Sequence, residues 1–506
     1  MTIVKTTRII SCLFIVAISL NLLIACGSDR PNVSAETDKD TIETTVAAET
    51  TQPLRENTPD SLPELNYEGA EVRIHYRGDD ITRRFGAEGE ETGDVVSDAV
   101  FARNRTVEER LNVKLNYIPG NSDHTRFMND IKPVLLAGED AYDLIDAVQW
   151  LVLPQSTLGL YYNLAEAPYI DYSQPWWQND YIDTISICDD VKYAITGDIS
   201  IYQLRMMSCM YFNKRIYEGS FGSPDDLFVL VLDGGWTYDH LSKYVSDIYQ
   251  DLNGSGATDA GDILGISSTP ISQTDHFTYT AGVQYTTRDK DGFPTLITDH
   301  SRNVKFVETL YDLYYNNPGS LIYASSGAMD KECIEHFTNC EMLFYPNRFY
   351  STDFFRDMED EYGVIPFPKL DETQEDYYAL IHDSTTLYAV PITVGDISMP
   401  CAVMEAVAAE NYRYVTPAYY EVALKVKYTR DNASIQIIDM IHNNARTDFV
   451  YANNYSLNSS GSLGTLTRSL MTAKSDDYMS YYAKLESSVN EGIDKLIESA
   501  KAEMNK

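Results

Sequence analysis

Segments that alternate between two hydrophobic periods predict an α/β protein of two lobes, each a mostly parallel sheet flanked by helices. Between residues 71 and 147, stretches with apolar residues at every second position alternate with stretches at helical spacing, the order that parallel strands need because each crossover takes a helix. About 440 residues follow a polar N-terminal stretch, more than one hydrophobic core serves, so two lobes are expected. The hydrophobic share of 44% is that of an ordinary globular chain.

The first element is a targeting signal. Lys5 and Arg8 give it a positive start, Ile9 to Leu20 an apolar run too short for a membrane span, and Leu23-Ile24-Ala25-Cys26 a small-residue cleavage site. Its end resembles the lipobox of bacterial lipoproteins, which implies removal of residues 1–25 and lipidation of Cys26. From Gly27 to about Pro63 the chain is rich in Thr, Ser, Glu, Asp and Pro and lacks aromatic residues, so it cannot bury enough apolar surface to offset its conformational entropy. Residues 26–65 are therefore expected to be a lipidated cysteine and a disordered tether. The protein is expected outside the cytoplasm, held at the membrane through its lipid only.

The ordered part opens with Glu71-Val72-Arg73-Ile74-His75-Tyr76, a period-two strand. Asp94 starts a helix whose Val96, Val100, Val107 and Leu111 share a face, and Val113, Leu115 and Tyr117 alternate again. A second helix runs from about Thr125 to Gly138, and Tyr142 to Ala147 is the next strand. In such β-α-β-α-β arrangements ligands sit beyond the carboxyl ends of the strands.

Composition narrows the partners. A net charge of -37 argues against nucleic acid or an anionic membrane face, because phosphate attraction would be reversed; a neutral or cationic ligand is easier to accept. Once Cys12 leaves with the signal and Cys26 takes lipid, five cysteines remain, with no CxxC or zinc spacing and no implied disulfide framework. Cys333 and Cys340 are as compatible with two buried thiols as with a bond.

A family resemblance emerges from the order of several pieces. They are Ser97-Asp98-Ala99-Val100 through Arg103-Asn104-Arg105, Glu108 to Val113, Ala137-Gly138-Glu139-Asp140-Ala141-Tyr142-Asp143, Pro175-Trp176-Trp177, Ala194 to Ser200, Tyr211-Phe212-Asn213-Lys214, Gly235-Trp236-Thr237-Tyr238 and Val415 to Tyr420. Together they resemble the extracellular solute-binding lipoproteins of bacterial ABC importers, in the carbohydrate-type branch with the type 2 periplasmic-binding fold. The resemblance implies two α/β lobes joined by a hinge of crossing segments, with a sugar or oligosaccharide enclosed between them and delivered to ABC permease subunits. It places residues 66–197 and 366–416 in the first lobe and 203–362 and 420–506 in the second. Crossings would be Val191 to Ser200, Gly363 to Pro368 and Val415 to Tyr420. A monomer without enzymatic activity and without nucleic acid follows.

Sugars present apolar faces and hydroxyl edges, so aromatic platforms beside amides, carboxylates and guanidinium groups are the expected contacts. Gln149 and Trp150 lie just past the strand that ends near Ala147, at the carboxyl-end rim; Trp150 could equally pack under Leu151-Val152-Leu153. Asn347, Arg348, Phe349 and Tyr350 follow an apolar strand and match in place the polar and aromatic cluster that relatives use on the second lobe. Asp198, at the first crossing, would bind hydroxyls or brace the hinge. Trp176 and Trp177 read as core and Trp236 as a staple for the helix after Thr237.

Asp251 to Asp262 reads as a calcium loop. Asp251, Asn253, Ser255, Asp259 and Asp262 stand at positions 1, 3, 5, 9 and 12, Gly256 permits the turn at position 6, and Ala257 offers its carbonyl at position 7. Alternate oxygens let the chain wrap one hard cation. Ser255 in place of an acid, Thr258 in place of an aliphatic residue and Asp262 in place of a glutamate weaken the site, and the apolar Ile263-Leu264-Gly265-Ile266 after it makes the arrangement helix-loop-strand. A structural Ca2+ is expected; an Asx-rich turn without metal is the alternative.

An enzyme leaves few traces. GxSxG, HExxH and GxxxxGKS/T are absent and the eight histidines are scattered. Carboxylate pairs are abundant, so a secreted glycoside hydrolase stays open beside a cell-surface glycan adhesin or sensor as alternatives to the receptor.

Overall fold

Alternating apolar positions bury Val72, Ile74 and Tyr76 and make Ala70–Tyr76 the first strand, β1. Asp94 caps the helix Val95–Leu111 by accepting from Ser97 N at 3.0 Å, and Asp123 caps His124–Leu136 by accepting from Arg126 N at 2.9 Å. The computed structural model describes residues 55–324, 330–425, 432–457 and 462–505, within one compact unit; the signal, Cys26 and the tether up to residue 54 lie outside the described residues.

The other strands of the two main sheets are β2 (Val113–Pro119), β3 (Leu144–Val148), β4 (Ser208–Asn213), β5 (Leu264–Ser268), β6 (Ser320–Ile322), β7 (Met342–Arg348), β8 (Tyr362–Ile365) and β9 (Thr386–Ala389). The first sheet has the order β9-β3-β1-β2, with β1 parallel to both neighbours and β9 antiparallel to β3. The second has the order β8-β4-β7-β5-β6. Its β7-β5 and β5-β6 pairings are parallel, but β4 runs against both β7 and β8, so this sheet is only half parallel.

The chain passes from β3 to β4 through a segment that touches the first sheet again: Ile195 and Tyr388 exchange backbone hydrogen bonds of 3.0 and 2.9 Å. It returns from β8 to β9 through residues 366–385, where Ala379–Leu380 pairs with Ala445–Arg446. The indole nitrogens of Trp176 and Trp177 donate to the two carboxylate oxygens of Glu405 at 3.1 and 2.9 Å, and all three side chains are buried. Burial pushes the Glu405 carboxyl up to about 7. Trp236 is also core, its Nε1 donating to Pro366 O at 3.1 Å.

The tether ends earlier than its composition suggests. Asp60 accepts from Arg110 Nη1 at 2.6 Å and Arg413 Nη2 at 2.8 Å, and Arg413 Nε donates to Thr58 O at 2.9 Å. These two guanidinium groups hold the Asp60 carboxyl down at about 2 against the opposing effect of burial, and pin residues 58–60 to the fold. Cys188, Cys209, Cys333, Cys340 and Cys401 are free thiols, and only Cys340 is not fully buried. Among the described residues no helix is long and apolar enough to cross a membrane.

Candidate functional site

Polar side chains collect where the carboxyl ends of first-sheet strands meet the crossing segment and the second sheet. Gln149 opens the helix Gln149–Ser156 directly after β3 and is fully buried. Its backbone N–H donates to Thr385 O at 2.9 Å, its Oε1 accepts from Tyr181 Oη, and its Nε2 makes no hydrogen bond among the described residues. Trp150, half-buried, stands at the rim; its ring lies 5.9 Å from His124 and 5.3 Å from Tyr455. Arg77, just after β1, meets His124 Nε2 at 2.9 Å, and burial with this neighbouring cation drives the imidazole down to about 4.

The second sheet contributes the end of β7. Arg348 is 8% exposed, and among the described residues its guanidinium makes only long contacts, 3.3 Å to Asn347 Oδ1, 3.5 Å to Tyr350 Oη and 3.7 Å to Met206 Sδ. It lies 4.6 Å from the centre of the Tyr350 ring. Asn347 is buried and donates to Tyr345 Oη. Phe349 is core, with Tyr211 Oη donating to the carbonyls of Arg348 and Phe349 at 3.0 and 3.3 Å. Tyr350 turns its ring to Arg348 and Phe354, whereas Trp150 meets His124 and Tyr455.

Between these groups stand residues that sequence reading passed over. His276, on the helix Ser272–Thr280 that follows β5, is completely buried and has no hydrogen-bond partner at either ring nitrogen among the described residues. Its ring is 5.4 Å from that of His382, whose Nδ1 lies 3.0 Å from Asp383 Oδ1 and whose Nε2 is also without a partner among the described residues. Burial, helped by the Arg348 charge, keeps both imidazoles well below the usual histidine range and thus neutral. Burial also raises Asp383 to about 6. Asp275 pairs with Arg468, whose Nε donates at 2.7 Å. Thr385 Oγ1 is buried and also has no partner among the described residues. Leaving a buried polar atom unsatisfied costs about 1–3 kcal/mol, so these groups are available to a polar ligand or to ordered water. His276 lies within the helix after β5 and His382 just past Leu380, and no local sequence pattern marks either.

Asp198 is used internally. It accepts from Thr416 Oγ1, its backbone N–H donates to Trp176 O at 2.8 Å, and Asn411 Nδ2 donates to its carbonyl at 2.7 Å. These bonds tie the Ile195 segment to the helix Thr416–Lys425 and fit bracing better than hydroxyl binding.

The loop Asp251 to Asp262 joins the helix Tyr238–Ile248 to β5, with Gln250 and Ile263 exchanging backbone bonds of 3.1 Å at its neck. Asn253 Nδ2 donates to Asp259 Oδ1 at 2.7 Å, and Ser255 Oγ lies 2.8 Å from Asp259 Oδ2 and 2.9 Å from Ala257 O. The donors at positions 3, 5, 7 and 9 therefore converge, while Asp251 and Asp262 accept from loop amides. Among the described residues no three His, Cys, Asp or Glu side chains are gathered closely enough to hold a metal, so the carboxylates would have to turn from these amides to a cation.

No protein-family profile and no curated protein sequence matches the chain. Solved structures do. UspC of Mycobacterium tuberculosis superposes with a TM-score of 0.54 at 10% identity, covering 83% of this chain and 100% of its own. UgpB of the same organism, in complex with glycerophosphocholine, gives 0.51 at 12% identity over 85% of this chain and 100% of UgpB. An ABC transporter solute-binding protein of Thermotoga lettingae bound with α-D-tagatose gives 0.51 at 13% identity, again over 85% and 100%. The chain thus has their two-lobed α/β fold.

Proposed function

We propose that this protein is a membrane-anchored, extracytoplasmic receptor that captures a sugar or oligosaccharide between two lobes and presents it to an ABC permease, without chemistry on the solute. The cluster of buried, unpartnered donors between β3, β7 and the crossing segment supports this reading, since a hydroxyl-rich ligand satisfies many such groups at once. The shared fold and the tagatose bound by the Thermotoga lettingae protein support it too. In the proposal one lobe comprises residues 66–197 and 366–416 and the other 203–362 and 420–506, and closure follows because ligand contacts both. The receptor works as a monomer.

A thermal-shift screen of saccharides tests the proposal. Binding sugars should raise the melting temperature without being consumed, and Trp150→Ala should weaken binding about tenfold to hundredfold, the loss of one aromatic contact. Turnover of a saccharide, or silence across the panel, would overturn it. Anchoring through Cys26 predicts that the wild type partitions into detergent while Cys26→Ala is secreted or accumulates as precursor; a processed Cys26→Ala that still partitions would refute it.

We further propose one structural Ca2+ in the loop, held by Asp251, Asn253, Ser255, Asp259, Asp262 and the Ala257 carbonyl. Asp251→Ala should then lower the melting temperature in calcium but not in chelator. Identical curves in all four conditions would reject the site. A single loop ending in a strand lacks the helix pair of a calcium sensor, so solute affinity should not follow calcium.

A further inference from the structure

One guanidinium of the proposed second lobe grips a helix end of the first. Arg288 sits on a short hairpin in which Thr286–Arg288 pairs antiparallel with Pro294–Leu296. The hairpin is tied to its own lobe: the backbone N–H groups of Tyr285 and Thr286 donate to Asp448 Oδ2 at 3.0 and 3.1 Å, and the Arg288 guanidinium lies 5.4 Å from the centre of the buried Phe449 ring. Apart from a bond of 3.3 Å to Gly292 O on the hairpin, its hydrogen bonds go to the other lobe. Nη2 reaches the carbonyls of Asp183, Thr184 and Ser186 at 2.5, 3.0 and 2.8 Å, and Nη1 that of Ile187 at 2.8 Å.

These carbonyls stand at the carboxyl end of the helix Asn179–Ile185, whose Ile182 packs in the first-sheet core with Trp176, Trp177 and Ile195. The last turn of a helix has carbonyls without an intrahelical donor and a partial negative charge, so a cation there answers both. Asn453, buried and just past Phe449, completes the grip by donating to Ile185 O at 2.9 Å. The same helix reaches the cleft, where Tyr181 donates to Gln149 Oε1. Hydrogen bonds from a charged group are the stronger class, so exchanging them for bonds to water on opening disfavours the parted lobes.

We infer that Arg288 is a latch, a positioning residue that holds the first lobe against the second and raises solute affinity without touching the solute. Its purpose rests on the receptor reading above, but the latch itself needs no solute. Capture requires joined lobes, and apparent affinity falls in proportion to the fraction that is joined.

Small-angle X-ray scattering of ligand-free wild type, Arg288→Ala, Arg288→Lys and Lys290→Ala tests the latch. Lys290, on the same hairpin with its side chain 89% exposed, is the control. Arg288→Ala should raise the radius of gyration, Lys290→Ala should leave it at the wild-type value, and Arg288→Lys, a point charge in place of a planar fork, should fall between. Equal radii for wild type and Arg288→Ala, with only a lower melting temperature in the variant, would make Arg288 a structural contact and overturn the latch. Should Arg288→Ala not fold, Arg288→Lys decides by the same measure. Calorimetry then uses the saccharide with the largest thermal shift on a panel that includes maltotriose, cellotriose and raffinose. Arg288→Ala should bind it about tenfold more weakly, as when the joined fraction falls to a tenth, and unchanged affinity would also overturn the latch. Silence of the whole panel would overturn the receptor reading, and scattering would still decide the latch.

Discussion

Glu405→Gln should remove a loss of stability that the wild type suffers between about pH 5 and 7. In the folded protein burial holds the Glu405 carboxyl up at about 7, against an ordinary value of 4.5. The folded state therefore binds the proton more tightly than the unfolded chain. Its contribution is fully present below pH 4.5 and is lost as pH rises through 7, a change of about 3 kcal/mol. The glutamine cannot ionise. It can accept from only one of the two indole N–H groups with its carbonyl, so the variant starts about 1 kcal/mol less stable in acid and overtakes the wild type as pH rises. Asp146 and Asp383, raised to about 7 and about 6, slope the same way, so the measurement is the difference between the two denaturation profiles across pH. Parallel profiles would show that Glu405 ionises freely in the fold.

Gly197→Ala should cost about 3 kcal/mol, the upper end for forcing an extra carbon into a packed site. A Cβ on Gly197 would overlap the Trp176 carbonyl oxygen and stand 3.0 Å from Trp177 Cα and 3.1 Å from Gln178 N. All three are backbone atoms that cannot rotate away. Trp176 O also accepts from Asp198 N, so the collision falls on the segment that leads out of the first sheet. Urea denaturation measures the loss, and a change below about 1 kcal/mol would mean that the Trp176-Trp177 backbone yields.

Local chemistry explains what could be read from the chain. The strand and helices from Ala70 to Leu136 follow from alternation, helical spacing and the Asp94 and Asp123 caps, all of which act within a few residues. Gln149 and Arg348 were visible from their place near apolar strands, although the structure carries the second strand through Arg348 itself. His276, His382 and Thr385 were not singled out, because their meeting depends on the return crossing and on the packing of the helix Ser272–Thr280, long-range contacts that leave no periodicity. The antiparallel entry of β4 was hidden for the same reason, since a strand carries no mark of its neighbour's direction.

The order of strands in the first sheet bears on how the molecule is made. β9 pairs Thr386 with Val148, so that sheet stays open on one side until the chain has been synthesised to residue 389 and the whole second sheet lies behind it. Until then β3 presents an unpaired edge of buried, apolar residues, the kind of surface that recruits other chains. Such distant pairing makes folding slow, because loop closure is costly before any contact rewards it. A nascent chain stopped short of β9 would be an aggregation hazard.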